Sequence, residues 1–275
     1  MDLGLENKVA IVSGGSSGLG LAAARELASE GAHVAIGARD RDRLAAAERG
    51  IKEVARGQVR ATSVDITDRA AAHRWVDEVA ADLGALHIVL VSGGSPPIGP
   101  ASQFDLQEYQ AAIDSVLFPP VGLALAALPH LRAAQWGRLL FVASETASIC
   151  VPPLALSGVA RAAIVRFAQA LAAEVGRDGI TVNVLAPGGA RTPPMERAAA
   201  RLAAGGDIEA MLRAMGHHNA FGRLARPQEI AAVAAFLASE RASFITGTVQ
   251  LIDGGASVAG PELPHLTAAR KDTYA

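Results

Sequence analysis

The stretch KVAIVSGGSSGLGLAAARELASEGAHVAIGARD, residues 8–40, decides how this chain folds. Its first apolar run, residues 9–12, has the length and composition of a strand that is buried on both faces. A glycine-rich turn follows at residues 13–20, and a helical pattern of apolar residues then runs to Gly31. A second apolar run at residues 33–36 completes a strand, turn, helix and strand, the setting in which a glycine motif indicates a dinucleotide site.

The glycines of this turn have distinct physical roles. Gly14 and Gly18 allow a tight turn and bring backbone N–H groups close to a pyrophosphate, whereas Gly20 allows helix and strand to pack closely. The N-terminus of the helix adds partial positive charge for the phosphates. Any tight turn between a strand and a helix can use glycine, so a purely structural turn is the alternative, but the setting favours nucleotide binding.

Apolar runs alternate with helical patterns along the rest of the chain. This alternation predicts an α/β fold, a Rossmann-type doubly wound parallel sheet of about seven strands in a single domain. Ligands of such sheets bind beyond the carboxyl ends of the strands. Further strands are predicted at residues 59–64, 86–91, 139–142, 181–185 and 249–252, and long helices at residues 41–55, 68–83, 154–175 and 227–237.

Composition narrows the possible functions. The chain has 275 residues and a formal net charge of −2, and its basic residues are scattered, so nothing indicates a nucleic-acid partner. We expect no membrane association, because no apolar run reaches the length of a bilayer span. Residues 1–8 carry charges and no apolar core, so no signal peptide is expected. No His, Cys and Asp cluster has the spacing of a metal site.

The single cysteine, Cys150, excludes an internal disulfide and is typical of the reducing cytoplasm, where we expect the protein to act. Because it lies between Ile149 and Val151, we expect a small buried residue rather than a reactive thiol. No linker divides the chain. One domain is therefore expected at residues 1–260, followed by a polar tail at residues 261–275.

The glycine turn resembles the Thr-Gly-x-x-x-Gly-x-Gly signature of the short-chain dehydrogenase/reductase family, with Ser13 in place of Thr. The resemblance covers residues 6–255. It implies a nicotinamide-dependent oxidoreductase that acts on a small molecule and forms a homo-oligomer, a tetramer or a dimer, through its long helices. Further matching segments are residues 91–94, Asn183, residues 187–188 and residues 253–255.

The end of the second strand indicates which nicotinamide cofactor is bound. An acidic residue there would accept hydrogen bonds from the ribose hydroxyls of NAD(H). This chain has Ala38 at that position and Arg39 after it. Arginine can pair with a 2′-phosphate and stack on adenine, so we expect NADP(H). The alternative is a surface arginine at the start of a charge-rich helix.

The resemblance implies the remaining cofactor contacts. Asp65 matches the family aspartate at the adenine ring; a helix-capping acid is the alternative, and the two roles are compatible. Thr192 is expected near the carboxamide or the phosphates of the cofactor. The full implied set is Gly14, Ser16, Ser17, Gly18, Leu19, Gly20, Arg39, Asp65, Ile66, Gly93, Arg161, Pro187, Gly188 and Thr192.

The chain departs from the family at the catalytic residues. The family reduces carbonyls with a serine, a tyrosine, a lysine and an asparagine. Ser144 matches the serine, but Tyr-x-x-x-Lys is replaced by Ser157-Gly-Val-Ala-Arg161, and the asparagine position is Val116. We therefore expect Ser144, Ser157 and Arg161 to form an atypical catalytic set.

These replacements change the chemistry that is available. An aliphatic hydroxyl is a far weaker acid than a phenol, whose pKa is about 10. Arginine stays protonated and cannot relay a proton. Because Ser157 and Arg161 are four residues apart, they share one face of a helix. There Arg161 can bind the ribose, and the hydroxyls of Ser144 and Ser157 can hold a polar group of the substrate.

Other acids have weaker support. Glu145 adjoins Ser144, and two adjacent histidines, His217 and His218, fall in the variable stretch before Arg223. An exposed or packing pair is the favoured interpretation of the histidines. The only tyrosines, Tyr109 and Tyr274, lie away from the motif.

Three functions stay open at this point. The favoured one is an NADP(H)-dependent reductase that transfers hydride to a carbonyl, or to an imine that is already protonated. The second is a family member that binds cofactor or substrate but has lost turnover. The third is non-redox chemistry in the same pocket.

Overall fold

The computed structural model describes residues 2–92 and 94–258. Its seven strands are β1 (Val9–Ser13), β2 (His33–Ala38), β3 (Val59–Ser63), β4 (Ile88–Ser92), β5 (Gly137–Val142), β6 (Ile180–Pro187) and β7 (Val249–Ile252). They form one sheet in the order β3-β2-β1-β4-β5-β6-β7, and every pair is parallel. The predicted Rossmann-type fold is confirmed.

Helices cover both faces of the sheet. They are α1 (Gly18–Ser29), α2 (Arg41–Lys52), α3 (Arg69–Leu83), α4 (Leu106–Val116), α5 (Phe118–Ala133), α6 (Ala155–Val175), α7 (Pro193–Ala203), α8 (Ile208–Gly216) and α9 (Pro227–Ala238). Each face has its own apolar core. Trp75, Leu123 and Ile164 belong to the core under α3, α5 and α6, whereas Leu27 and Ile51 belong to the core under α1, α2 and α9.

The direction of winding reverses between β1 and β4, which are neighbours in the sheet. The strands and helices before β4 build one half, and those after it build the other. In open α/β sheets a crevice forms at such a point, outside the carboxyl ends of the strands. The residues that follow β1, β4, β5 and β6 are therefore the ones that a ligand would meet.

Helices α7 and α8 form a small layer of their own. Their apolar side chains pack into a separate cluster that is distinct from the two cores of the sheet. The buried members are Ala199, Leu212 and Leu224, with Met195, Met211 and Met215 packed against them.

The premise that no apolar run is long enough for a bilayer span was too strict, and the predicted burial of Cys150 was wrong. By length and composition, Leu106–Ala133 and Ala155–Asp178 are apolar enough to cross a membrane, although both pack on the sheet, where 50% and 44% of the apolar window is buried. A core helix passes the same test, so it is weak evidence for a span. Cys150 is exposed rather than buried. It lies in an irregular segment between β5 and α6, where apolar neighbours in sequence do not imply burial.

Candidate active site

The glycine turn between β1 and α1 adopts a backbone conformation that side chains disfavour. Gly14 and Gly18 have φ angles of 66° and 57°, in the left-handed region. A Cβ at Gly20 would lie 2.5 Å from the carbonyl oxygen of Gly14, so only glycine fits there. The turn therefore brings bare backbone to the N-terminus of α1, which is the arrangement that binds a pyrophosphate.

A hydroxyl joins the two strands at the reversal point. The backbone N–H of Ser92 donates to Ser13 Oγ at 3.0 Å, and Ser13 Oγ donates to the carbonyl oxygen of Ser92 at 3.2 Å. Serine and threonine both carry this hydroxyl, so Ser13 is a sufficient substitute for the usual threonine. The neighbouring Gly93, predicted to contact the cofactor, lies outside the described residues.

The start of α7 lies beside the glycine turn. A Cβ at Gly18 would be 3.5 Å from Cγ2 of Thr192, the residue that precedes α7. The half-buried Ser16, Ser17 and Leu19 belong to the same turn, and the Ser17 hydroxyl makes no capping bond to α1. The structure thus brings together the residues predicted to contact the phosphates.

The part of the site predicted to bind the adenine end of the cofactor is exposed and contains charged side chains. Arg39 follows β2, its side chain is 78% exposed, and its Nη1 lies 3.9 Å from Oδ2 of Asp65. Asp65 accepts hydrogen bonds from the backbone N–H and the hydroxyl of Thr67, at 3.0 and 2.8 Å, and these bonds lower its pKa. Asp65 therefore shapes a turn, while Asp68 caps α3. Ile66 packs against the core behind it.

Three residues with hydroxyl groups, Ser144, Thr146 and Ser157, are linked by hydrogen bonds where β5 ends and α6 begins. Ser144 Oγ accepts a hydrogen bond from the backbone N–H of Thr146 at 3.3 Å. The hydroxyl oxygens of Thr146 and Ser157 are 3.4 Å apart. Thr146, which was not among the predicted residues, therefore links the predicted pair, since its backbone N–H donates to Ser144 and its hydroxyl lies near that of Ser157.

Arg161 is a buried cation held by strand ends. Its Nε donates to Ser157 Oγ at 3.1 Å, Nη1 donates to the carbonyl oxygen of Val142 at 3.2 Å, and Nη2 donates to that of Gly94 at 2.9 Å. Arg161 is 9% exposed, and burial lowers its pKa to about 10, so it keeps its charge at neutral pH. Among the described residues, no carboxylate forms a salt bridge with it.

No phenol reaches this site within the described residues. The hydroxyl of Tyr109 donates to the carbonyl oxygen of Ala101 at 3.0 Å, on the segment before α4. Tyr274 lies beyond the part of the chain that the structure describes. Val116 is fully buried in the core at the end of α4, where it contributes packing and no hydrogen bond.

Glu145 is a buried acid at this site, although its support as a catalytic residue was weak from the sequence alone. It follows Ser144 in a short 3₁₀ turn, Glu145–Ala147, and is 7% exposed. Burial raises the pKa of its carboxyl; the charge of Asp253 raises it further, and that of His218 opposes the shift. The predicted contact residues Pro187 and Gly188 lie beside it, since a Cβ at Gly188 would be 2.7 Å from Glu145 Oε2.

Comparisons with known proteins agree with this geometry. A family model described as enoyl-(acyl carrier protein) reductase matches residues 14–257. Cis-4-hydroxycyclohexanecarboxylate dehydrogenase of Sinomonas cyclohexanicum is 34% identical over 90% of this chain and 96% of its own length. The short-chain reductase protein NovJ of Streptomyces niveus is 30% identical over 91% of this chain and 94% of its own.

Solved structures extend the similarity to three dimensions. L-sorbose reductase of Gluconobacter frateurii, in complex with NADPH and L-sorbose, superposes with a TM-score of 0.89 at 33% identity. The match covers 93% of this chain and 98% of that protein. The cofactor class expected from the sequence is the one in that complex. The fold, the glycine turn and these near full-length matches together establish that the chain belongs to the short-chain dehydrogenase/reductase family of oxidoreductases.

Proposed function

We propose that the protein is an NADP(H)-dependent reductase that transfers hydride to a carbonyl or imine carbon of a small molecule. In this proposal Ser157 and Arg161 stand where the family has its tyrosine and lysine. The observation that carries it is the position of Arg161, a buried cation at the carboxyl ends of β4 and β5, next to the reversal point of the sheet.

Arg161 has donors to spare for a ligand. A guanidinium carries five N–H groups. Three hydrogen bonds to other described residues use Nε, Nη1 and Nη2 once each, which leaves two N–H groups. A buried cation without a carboxylate partner is costly, because burial removes its hydration. Hydrogen bonds to the ribose hydroxyls would use the remaining donors, which is the role that the family lysine has.

The preference for NADP(H) rests on the end of β2. This strand ends at Ala38 rather than at a carboxylate, and the exposed Arg39 that follows makes only a long contact with Asp65. A 2′-phosphate would attract that guanidinium strongly, because phosphate and guanidinium match in charge and in geometry. NADPH is also the cofactor in the complex of L-sorbose reductase.

The three hydroxyls at the start of α6 orient the substrate. Ser144 and Ser157 can donate to the oxygen or nitrogen of the group that is reduced, and Thr146 can accept a hydrogen bond from the Ser157 hydroxyl. When bound, NADPH supplies the hydride. Arg161 keeps positive charge near the reacting bond, where it stabilises negative charge that develops on the substrate.

A binding measurement and a substrate screen test the proposal. NADPH and NADH are titrated by calorimetry, and a panel of ketones and cyclic imines is followed by the loss of NADPH absorbance. Tighter binding of NADPH together with turnover of a panel member would support the proposal. Equal affinities for the two nucleotides would contradict the cofactor assignment.

A second candidate is a family member that binds NADP(H) without turnover. The observation that favours it is the simultaneous replacement of three catalytic positions, with Val116 buried in the core and no phenol among the described residues near Ser157. The same screen separates the two candidates, because this one predicts binding with no turnover. Cytoplasmic location and oligomerisation stay predictions, as does non-redox chemistry as a third possibility.

A further inference from the structure

The carboxyl of Glu145 is buried, and one of its oxygens has no hydrogen-bond partner among the described residues. Its Oε2 has less than 1 Å² of exposed surface and no hydrogen-bond partner in the described structure. An ionised carboxylate in such a place would lose its hydration without compensation. Burial therefore raises the pKa of this carboxyl above its ordinary value and favours the protonated form.

The carboxyl lies at the edge of the sheet where ligands bind. Ser144 and Glu145 continue directly from β5, and Oε2 contacts Gly188, the residue that follows β6. A Cβ at Gly188 would be 2.7 Å from Oε2, so a larger residue there would displace the carboxyl. Glu145 is thus held between two strand ends that border the cleft, one residue from the predicted substrate-binding serine.

Two charged groups face Glu145 from other elements. Asp253 follows β7, and its carboxylate accepts hydrogen bonds from the backbone N–H groups of Gly255 and Ser257 at 2.9 and 2.8 Å. His218 follows α8 and is exposed. Their charges act on Glu145 in opposite directions, Asp253 favouring the protonated form and His218 the ionised form. An exposed imidazole close enough to act electrostatically on a buried acid can pass protons to that acid from solvent.

We propose that the carboxyl of Glu145 supplies the proton that the reduction requires, in place of the missing tyrosine; this rests on the proposed reductase function. Hydride from NADPH adds to the carbon of the C=O or C=N bond, whose π electrons move to the heteroatom. The O–H bond of Glu145 breaks as that heteroatom takes the proton. The products are the alcohol or amine, NADP⁺ and the Glu145 carboxylate, which water reprotonates by way of His218.

Other groups at the site are poorer acids. The hydroxyls of Ser144 and Ser157 are far less acidic than a carboxyl, and Arg161 stays charged. A general acid works best when its pKa lies near the working pH, and burial brings a carboxyl toward that range. Glu145 is a buried carboxyl directly after Ser144, so we assign the role of proton donor to it.

The test compares two substrates in the variant Glu145→Gln. A cyclic ketone needs a proton during reduction, whereas the N-methyl iminium ion of a matching ring needs hydride alone. We expect the variant to lose at least about 100-fold in kcat for the ketone, the low end of general-acid effects. Its kcat for the iminium ion and its affinity for NADPH should stay close to those of the parent. A merely structural role would affect both substrates alike.

Glu48→Gln is the matched control, because Glu48 lies on α2, pairs with Lys52 and is remote from the cleft. Equal ketone turnover by Glu145→Gln and the parent would overturn the inference and leave the reductase function standing. Turnover of neither substrate by the parent would overturn both. If Glu145→Gln does not fold, the pH dependence of kcat of the parent protein is the test. A kcat for the ketone that falls with rising pH, while kcat for the iminium ion stays level, supports the inference. The same pH dependence for both substrates overturns it.

Discussion

Nε of Arg161 donates to Oγ of Ser157 across one turn of α6, at 3.1 Å. The same guanidinium donates to the carbonyl oxygens of Val142, the last residue of β5, and of Gly94, two residues beyond β4. The pair therefore ties α6 to the edge of the sheet where the cofactor is expected. In this arrangement the hydroxyl of Ser157 is held in place by Arg161. Arg161 itself connects α6 to the ends of β4 and β5.

Replacing Arg161 should weaken cofactor binding far more than replacing Ser157. Arg161→Ala removes the charged donors proposed for the ribose, and hydrogen bonds to charged groups contribute about 1.5–3 kcal/mol each, so the Kd for NADPH should rise by about tenfold or more. Ser157→Ala removes one acceptor of Arg161 and should change Kd by less than about threefold. Calorimetric titration measures both.

Arg161→Lys is the informative companion, because it keeps the charge and restores the residue that the family has. It should retain more NADPH affinity than Arg161→Ala. A Ser157→Ala variant that loses NADPH binding as severely as Arg161→Ala would contradict the division of roles between the two residues.

The selectivity for NADPH over NADH should depend on Arg39. This side chain is exposed and has only a long ion pair, so Arg39→Ala should leave the fold intact while it removes the partner of the 2′-phosphate. The ratio of the two Kd values should fall by about tenfold, the equivalent of one charged hydrogen bond. Arg49→Ala is the control, since Arg49 is exposed in the last turn of α2, the helix that begins two residues after Arg39. If the selectivity for NADPH over NADH were unchanged in Arg39→Ala, Arg39 would be a surface residue with no role in cofactor selection.

The stability of the protein should depend on pH through Glu145 in a definite direction. Its pKa in the folded state is raised above the ordinary 4.5, so the protonated, folded form is favoured at low pH, and this stability is lost as pH rises from 4.5 through the raised value. The Tm of Glu145→Gln relative to the parent should therefore increase across that interval. Thermal melts at several pH values measure the difference.

Glu229 provides a comparison of the opposite sign. Its bonds from Arg223 and from the backbone N–H of Arg226 lower its pKa to about 2. The ion pair therefore stabilises the fold above pH 4.5 and is lost as pH falls toward 2. Glu229→Gln should lower the Tm at neutral pH and approach the parent in acid. If the Tm of Glu145→Gln and that of Glu229→Gln, each relative to the parent, changed with pH in the same direction, the loss of a negative charge in general would explain the effect, and the local environments of the two carboxyls would not.

The glycine turn should tolerate no side chain at Gly20. A Cβ there meets the carbonyl of Gly14 at 2.5 Å, and both groups are backbone, so the turn itself must move. Gly20→Ala should destabilise the protein by about 1–3 kcal/mol and weaken NADPH binding. Gly176→Ala is the control, because nothing lies within 4 Å of a Cβ there. Chemical denaturation and calorimetry measure the two effects, and a Gly20→Ala variant as stable as the control would refute the packing argument.

The half-exposed apolar helices predict association between copies of the chain. Leu125 on α5 and Val159 on α6 are 50% and 51% exposed, and their helices are the two long apolar ones. We expect a dimer or a tetramer by light scattering, and a smaller species for Leu125→Glu or Val159→Glu. Leu202→Glu, on the exposed side of α7, should leave the assembly unchanged. A parent protein that is monomeric at micromolar concentration would contradict the expectation.

The sequence was sufficient for the fold because the sheet depends on local patterns. Each buried strand is a short apolar run, and the turn at Gly14, Gly18 and Gly20 can adopt few other shapes. The active-site contacts were harder to foresee. The burial of Glu145 depends on Gly188 and Asp253, which are remote in sequence and close over it only when β6 and β7 join the sheet. For the same reason, the exposure of Cys150 could not be foreseen from its apolar neighbours.

The separate apolar cluster under α7 and α8 has a consequence for how this protein can change over time. Because that cluster is separate from both cores of the sheet, substitutions at Met195, Met211 or Met215 can reshape α7 and α8, beside the glycine turn, without touching the strands. Methionine adapts to new neighbours with little strain. Substitutions in this cluster can thus accumulate while the packing of the sheet and of the glycine turn is inherited unchanged.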